Sequence, residues 1–178
     1  MQYKKLSATD QQQISDLFKV VFSVSEGEAE GALIGELALE LSQAIDDQQV
    51  QCFASYQQDV LTGVIFFTRL RFKSEINVYL LGPVAVSTKH QGQGIGQSLI
   101  INGLRTLKQQ SVEVVITYGD PKFYAKVGFQ PLSERQIQAP LTLSMPHGWQ
   151  AQSLTDQLIP RIDGRPSCVK AFNNPIYW

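Results

Sequence analysis

The sequence predicts a mixed α+β fold, and three observations carry that expectation. Apolar residues recur at helical spacing in two early segments. Three segments in the middle of the chain are rich in β-branched and aromatic residues, with turn signals between them. A glycine-dense stretch, STKHQGQGIG at residues 87–96, then stands between an apolar run and a further helical series. This last arrangement makes a strand–helix–strand unit over residues 78–118, which should place two strands parallel.

The elements follow in order. Residues 2–7 suit a short strand. Thr9 or Asp10 is placed to cap a helix running to about Phe22, with Ile14, Leu17, Phe18 and Val21 on one face. SVSEGEAEG, containing Glu26, Glu28 and Glu30, reads as a polar break. Leu33, Leu37 and Leu41 recur every four residues, so a second helix is expected over residues 29–45, closed by DDQQ. Residues 50–56, 60–72 and 77–86 form a meander of three strands, with QQD as the first hairpin turn. Ile95, Leu99, Gly103, Leu104 and Leu107 share one face of a helix ending near Gln110. VEVVITY, residues 112–118, is an apolar strand. A short helix from Pro121 to about Val127 follows, with proline in its first turn and Gly128 at its end. Residues 129–132 and 149–154 give two more strands. The tail is punctuated by proline and glycine and gives no clear element. With no repeat or linker, one domain is expected.

Bulk properties narrow the function. The chain has 178 residues, 43% apolar and 17% charged, with a net charge of −1. The pI is near 6.1. That balance makes no claim on nucleic acid or on an anionic membrane surface. Cys52 and Cys168 lie far apart and outside any C-x-x-C pair, which argues against a zinc or redox motif; no metal site is expected. The first residues, MQYKKLSATDQQQ, do not read as a secretory leader, and no window approaches the ~18 apolar residues of a membrane helix. A cytoplasmic protein is the expectation.

The glycines raise the question of a ligand. A helix N-terminus offers free backbone N–H groups and a partial positive charge. Gly92, Gly94 and Gly96 would let phosphate oxygens approach those groups, with Lys89 and His90 alongside. Packing glycines in a plain turn are the alternative. A dinucleotide is a poor fit: the spacing is G-x-G-x-G with Gln97 following, and Asp120 stands 24 residues beyond Gly96.

Coenzyme A fits better, because a resemblance appears here. Gln91-Gly92-Gln93-Gly94-Ile95-Gly96 resembles the Q/R-x-x-G-x-G/A signature of the GNAT superfamily of acyl-CoA-dependent N-acyltransferases. Val84, Ala85 and Val86 are similar to that family's central strand. Phe123 to Phe129, FYAKVGF, resembles its F-Y-x-x-x-G-F segment. GDPKFY and AEGALIGEL are similar to the YhbS-like branch. The order of elements agrees over residues 1–155, and residues 156–178 form an unmatched tail expected to pack on the domain or on a partner, a homodimer among the options.

The resemblance implies a GNAT-like sheet, mostly antiparallel with a splayed parallel pair, and an acetyl-CoA donor. It implies that the backbone of Gln91, Gly92, Gln93, Gly94, Ile95, Gly96 and Gln97 holds the pyrophosphate, and that Val84, Ala85 and Val86 pair with the pantetheine arm. Asp120 and Phe123 would border the cofactor. Gly82-Pro83 gives an independent reason for a splay, since proline removes a ladder donor and glycine favours a bulge. The chemistry would be direct attack of a neutral amine on the thioester, with a backbone N–H near Val86 as oxyanion donor. Tyr124 matches the family tyrosine that faces the sulfur and would protonate or hydrogen-bond the leaving thiolate; a packing role is the alternative. Many relatives carry a glutamate on the central strand where this chain has Leu80 and Leu81. Glu75 stands too far out. Glu30 is the candidate acceptor contact, and His147 reads as a surface residue. The acceptor would be a small-molecule or protein amine. A non-catalytic acyl-CoA sensor on the same fold is the rival reading.

Overall fold

The computed structural model describes residues 1–7 and 10–178. The chain enters through β1 (Gln2–Leu6), followed by α1 (Gln11–Glu26) and α2 (Glu28–Gln43). The expected polar break shrinks to one residue, Gly27, at φ 102, a conformation glycine reaches without a Cβ penalty. Helix α1 runs four residues past Phe22 because its serines do not leave the helix: Ser25 Oγ donates back to the Val21 carbonyl. The capping expectation needs correction. Asp10 stands at the helix start with φ 65 and makes no side-chain cap; instead its carbonyl accepts from the Ile14 N–H at 3.1 Å. Thr9 lies outside the described residues.

Helices α1 and α2 approach closely at two glycines. A Cβ on Gly31 would meet Ser23 Oγ and lie 2.6 Å from the Lys19 carbonyl oxygen. At Gly35 it would lie 3.0 Å from Lys19 Cβ, and Ser15 Oγ donates to the Gly35 carbonyl at 2.8 Å. Small residues are therefore required there, which a search for apolar spacing does not register.

The remaining elements are β2 (Val50–Gln57), β3 (Val60–Leu70), β4 (Val78–Val86), α3 (Ile95–Gln109), β5 (Val114–Tyr118), α4 (Pro121–Tyr124), β6 (Gln130–Pro131) and β7 (Trp149–Ser153). Gln58 and Asp59 form the β2–β3 turn with φ of 48 and 62, the pair of positive φ values that suits right-twisted hairpins. The seven strands run in the order β1-β2-β3-β4-β5-β7-β6. The sheet is mostly antiparallel, with β4 and β5 parallel from Val78↔Val114 to Leu81↔Thr117. The predicted short helix is α-helical only to Tyr124 and continues as a 3-10 turn, Ala125–Val127, ended by Gly128 at φ 94. Strand β5 begins two residues later than predicted, because the Val112 N–H bonds back to the Leu107 carbonyl.

The chain divides into two compact units: Met1–Phe67 with Pro83–Gly103, and Thr68–Gly82 with Leu104–Trp178. In the first, Phe18 meets Phe66 at 5.9 Å between ring centres and Phe53 meets Phe67 edge-on at 5.7 Å, over buried Leu37, Leu41, Leu99 and Ile100. In the second, Val114, Val115 and Ile116 are buried with Trp149, Ala151, Ile137 and Phe129. Both cysteines are free thiols.

Candidate functional site

The predicted site residues fall into two groups, one in each unit. In the first unit, Val84, Ala85 and Val86 end β4, with Ala85 buried and the two valines half-buried. Ala85 sits tightly: a Cβ on Gly63 would lie 3.2 Å from its carbonyl oxygen and 2.9 Å from Ser55 Oγ. After β4, Thr88–His90 make a 3-10 turn that the sequence did not announce. Gln91 then returns to extended backbone and its Nε2 donates to the Val86 carbonyl at 3.1 Å, tying the loop to the strand end.

Gly92 and Gly94 take φ of 76 and 75, and the side a Cβ would occupy is open at both. These two glycines are needed for conformation, not for packing. Gly96, by contrast, is buried inside α3. The Gly94 carbonyl accepts from the Ser98 N–H at 3.0 Å, so the helix ladder begins there and the N–H groups just ahead of it have no intrahelical partner. No acidic residue stands in the first turn of α3, nor anywhere between Glu75 and Glu113, while Lys89 precedes the loop. His90 Nδ1 is buried without a hydrogen-bond partner. An exposed, acid-free loop opening a helix suits a phosphate group.

In the second unit, β5 leads through Gly119 and Asp120 into α4. Asp120 Oδ1 accepts from the Lys122 N–H at 2.9 Å and caps the helix. Tyr124 is buried at 8% exposure, and its ring meets Phe123 at 5.1 Å and Phe129 at 5.7 Å, both edge-on. A Cβ on Gly119 would lie 2.9 Å from Tyr124 Cε2, so the ring lies against bare backbone. Gly119 is held from both sides: its N–H donates to the Gly148 carbonyl at 3.0 Å, and Gln150 Nε2 donates to its carbonyl at 3.3 Å. Thr117, buried on β5, donates its Oγ1 hydrogen to the Leu81 carbonyl at 3.0 Å. Burial pushes the phenol above its usual range; the Thr117 hydroxyl pulls the other way and the Asp120 carboxylate adds to the rise. Thr117 itself escaped the sequence reading. Its only signal is a hydroxyl that follows three apolar residues in β5.

Other candidates sit apart from any such constellation. Glu30 is half-buried in the first turn of α2, Glu26 ends α1, and Glu75 and His147 are exposed. Leu80 and Leu81 are buried at 3% and 1%, so this stretch of β4 offers no base. Among the described residues no group of three metal-ligating side chains comes together.

The chain matches the family described as the acetyltransferase (GNAT) domain over residues 26–144, more than half its length. It belongs to the GNAT acetyltransferase family. Curated relatives of this GNAT chain include the uncharacterized N-acetyltransferase YjhQ of Escherichia coli K12, 35% identical over 101 residues, which are 53% of this chain and 56% of the relative. YhbS of the same strain, also an uncharacterized N-acetyltransferase, is 30% identical over 95 residues, 52% of this chain and 55% of its own. The aligned stretch thus spans about half the length of each.

The fold agrees over far more of the chain. The structure of E. coli YhbS in complex with CoA superposes with a TM-score of 0.79 at 21% identity, covering 97% of this chain and 92% of that one. A GNAT acetyltransferase from Brucella melitensis in complex with acetyl-CoA gives 0.69 at 21% identity, covering 97% of each. These likenesses support the YhbS-like branch and the GNAT architecture. No helix among the described residues is long and apolar enough to cross a membrane.

Proposed function

We propose that this GNAT protein is an N-acetyltransferase that moves an acetyl group from acetyl-CoA directly to a primary amine. The observation that carries the reading is the loop before α3, where two glycines at positive φ open an acid-free helix N-terminus. The relatives named as N-acetyltransferases and the solved neighbours in complex with CoA or acetyl-CoA support it.

The roles divide as follows. Backbone N–H groups of residues 91–97 bind the pyrophosphate, and Val84, Ala85 and Val86 hold the amide-bearing arm by strand-like pairing. When bound, acetyl-CoA supplies the activated thioester. The Val86 N–H stabilises charge developing on the carbonyl oxygen. Tyr124 carries the proton that the departing thiolate needs, on a phenol that burial keeps neutral. Phe123 and Asp120 fix Tyr124, the first by ring contact and the second by capping its helix. Glu30 is a contact for the amine, which arrives neutral or loses its proton through water. The acceptor is a small-molecule amine or an amine on a protein, and the setting is the cytoplasm. Residues 1–155 form the acetyltransferase domain, with residues 156–178 packed on it.

A thermal-shift titration with acetyl-CoA, CoA and NADH tests this. A ligand selective for the folded state adds about 2.7 kcal/mol at 100 times its Kd. A clear rise with both CoA species and none with NADH is expected. No rise at millimolar CoA would withdraw the reading, and a rise without acetyl transfer to any amine in a broad panel would favour a sensor.

A further inference from the structure

We infer that Gln150 is a positioning residue for acetyl transfer, with a buried amide that locks the turn at Gly119 on which the ring of Tyr124 lies. The inference rests on the acetyl-transfer reading above and adds a residue that the family's sequence segments did not indicate.

Gln150 is 1% exposed and stands in β7 between buried Trp149 and Ala151. A primary amide in that setting costs free energy unless its protons are bonded. Both are used: Nε2 donates to the Gly119 carbonyl at 3.3 Å and to the Gly148 carbonyl at 3.2 Å. The amide nitrogen carries two protons, and two carbonyls take them. The same chemistry fixes which way the amide faces, because its oxygen could make neither bond.

Those carbonyls stand where the β5–β7 ladder runs out. Tyr118↔Trp149 is its last pair. One further bond continues it, from the Gly119 N–H to the Gly148 carbonyl at 3.0 Å, and a Cβ on Gly148 would lie 3.1 Å from the Gly119 carbonyl oxygen. Gly119 has no side chain to anchor it, so these backbone bonds set its place. Gln150 ties the two glycines together from one side chain, at the point where β5 leaves the sheet for α4.

Tyr124 depends on that point. A Cβ on Gly119 would lie 2.9 Å from Tyr124 Cε2 and 3.7 Å from its Cδ2, so one edge of the ring rests on this bare peptide. Phe123 is the neighbour of Tyr124 in α4 and moves with it, whereas Gly119 refers the ring to the end of the sheet. A misplacement of about 1 Å in a group that transfers a proton can cost about 10²-fold in rate. Gln150 thus acts on the phenol through Gly119.

The test uses the full chain with Gln150→Met, which keeps the length of the side chain and removes both donors. Acetyl-CoA-dependent thiol release is followed with an amine that the wild type acetylates. In this variant kcat should fall about tenfold while KM for acetyl-CoA stays within about twofold. The deciding comparison repeats the change in a Tyr124→Phe chain. With the phenol gone, Gln150→Met should lower kcat by no more than about twofold. Wild-type kcat in the methionine variant would overturn the inference. So would the same loss in both backgrounds, which would mean that Gln150 acts elsewhere than through Tyr124. Gln150→Asn, whose amide falls one methylene short of the two carbonyls, gives the same pair of comparisons from a milder change and carries the test if the methionine chain does not fold. A readout independent of activity is exchange of the Gln150 side-chain amide protons in the 15N-labelled wild type. Exchange at least about 100-fold slower than at exposed glutamines is expected, and exchange at their rate would defeat the two bonds. A wild-type chain that acetylates no amine defeats the acetyl-transfer reading, whereas wild-type turnover with unimpaired Gln150 variants defeats only the part given to Gln150.

Discussion

At the residue scale, Tyr124 is the side chain whose surroundings most constrain its chemistry. Its ring is enclosed and its phenol is held neutral, chiefly by burial. Tyr124→Phe keeps the ring contacts and removes only the proton. Turnover should fall by about 10²-fold, with CoA affinity unchanged, as steady-state rates and a binding titration would show. Undiminished turnover across an amine panel would leave Tyr124 a packing residue. The sign of its pH effect is fixed too. A phenol whose folded-state pKa is raised stabilises the fold fully below about 10, and that contribution is lost as pH climbs through the raised value.

Asp46 runs the other way. Burial opposes its ionisation, but N–H groups of Val50, Gln49 and Gln48 donate to its Oδ1 at 3.0, 2.6 and 3.1 Å and hold the carboxyl below its usual range. The side chain is exposed, so screening limits the gain. Asp46→Ala should cost about 1 kcal/mol at neutral pH. The difference should vanish as pH falls through the lowered folded-state value, where the wild type loses the same stabilisation; melting curves at neutral and acid pH measure both limbs.

At the element scale, the α3 loop separates conformation from packing. Gly94 has open space where a Cβ would stand, so Gly94→Asp meets no clash. Aspartate also tolerates positive φ better than most residues. The variant should melt within a few degrees of the wild type, yet lose CoA binding by at least about 100-fold, because a carboxylate would then stand in the proposed phosphate site. Calorimetric titration decides it, and unchanged affinity would move the pyrophosphate elsewhere. Gly31 presents the opposite case. Even a methyl group there presses on Ser23 and on the Lys19 and Ser23 backbone, so Gly31→Ala should destabilise by about 1–3 kcal/mol despite alanine's better helix propensity. This contrast explains what the sequence revealed about the elements. Apolar spacing announces which face of α2 or α3 is buried, and the strand compositions announce the meander and the parallel pair. Spacing does not report how near a second helix comes, so the Gly31–Gly35 contact was invisible. Nor does it report a one-residue break such as Gly27, because polar residues inside and outside a helix look alike.

At the scale of the whole molecule, the turn into α3 and the short helix that carries Tyr124 were legible because both are short segments whose residue types answer a local demand. Thr117 was not, since its partner, the Leu81 carbonyl, becomes a neighbour only once β4 and β5 pair. The tail was illegible for a related reason: it holds its place through aromatic contacts instead of a repeating pattern. Trp178 is 5% exposed, its Nε1 donates to the Phe172 carbonyl at 2.8 Å, and its ring lies 6.3 Å from Tyr118 and 6.1 Å from Trp149. Tyr118 and Trp149 are themselves paired across β5 and β7, so the last residue of the sequence covers the end of that ladder. Tyr118 also accepts from the Met145 N–H at 2.8 Å and shares a hydrogen bond with Ser144, which ties the loop before β7 to the same cluster. Trp178→Ala should therefore behave as a core truncation, costing about 3–5 kcal/mol. Ile176→Ala, two residues away at 59% exposure, should change stability by less than about 0.5 kcal/mol. Urea denaturation of the two variants gives the comparison. A large loss for Trp178→Ala alone makes the tail part of the second unit's core, while equal small losses would make it a dispensable extension and leave the exposed edge of Trp149 to be covered by something else.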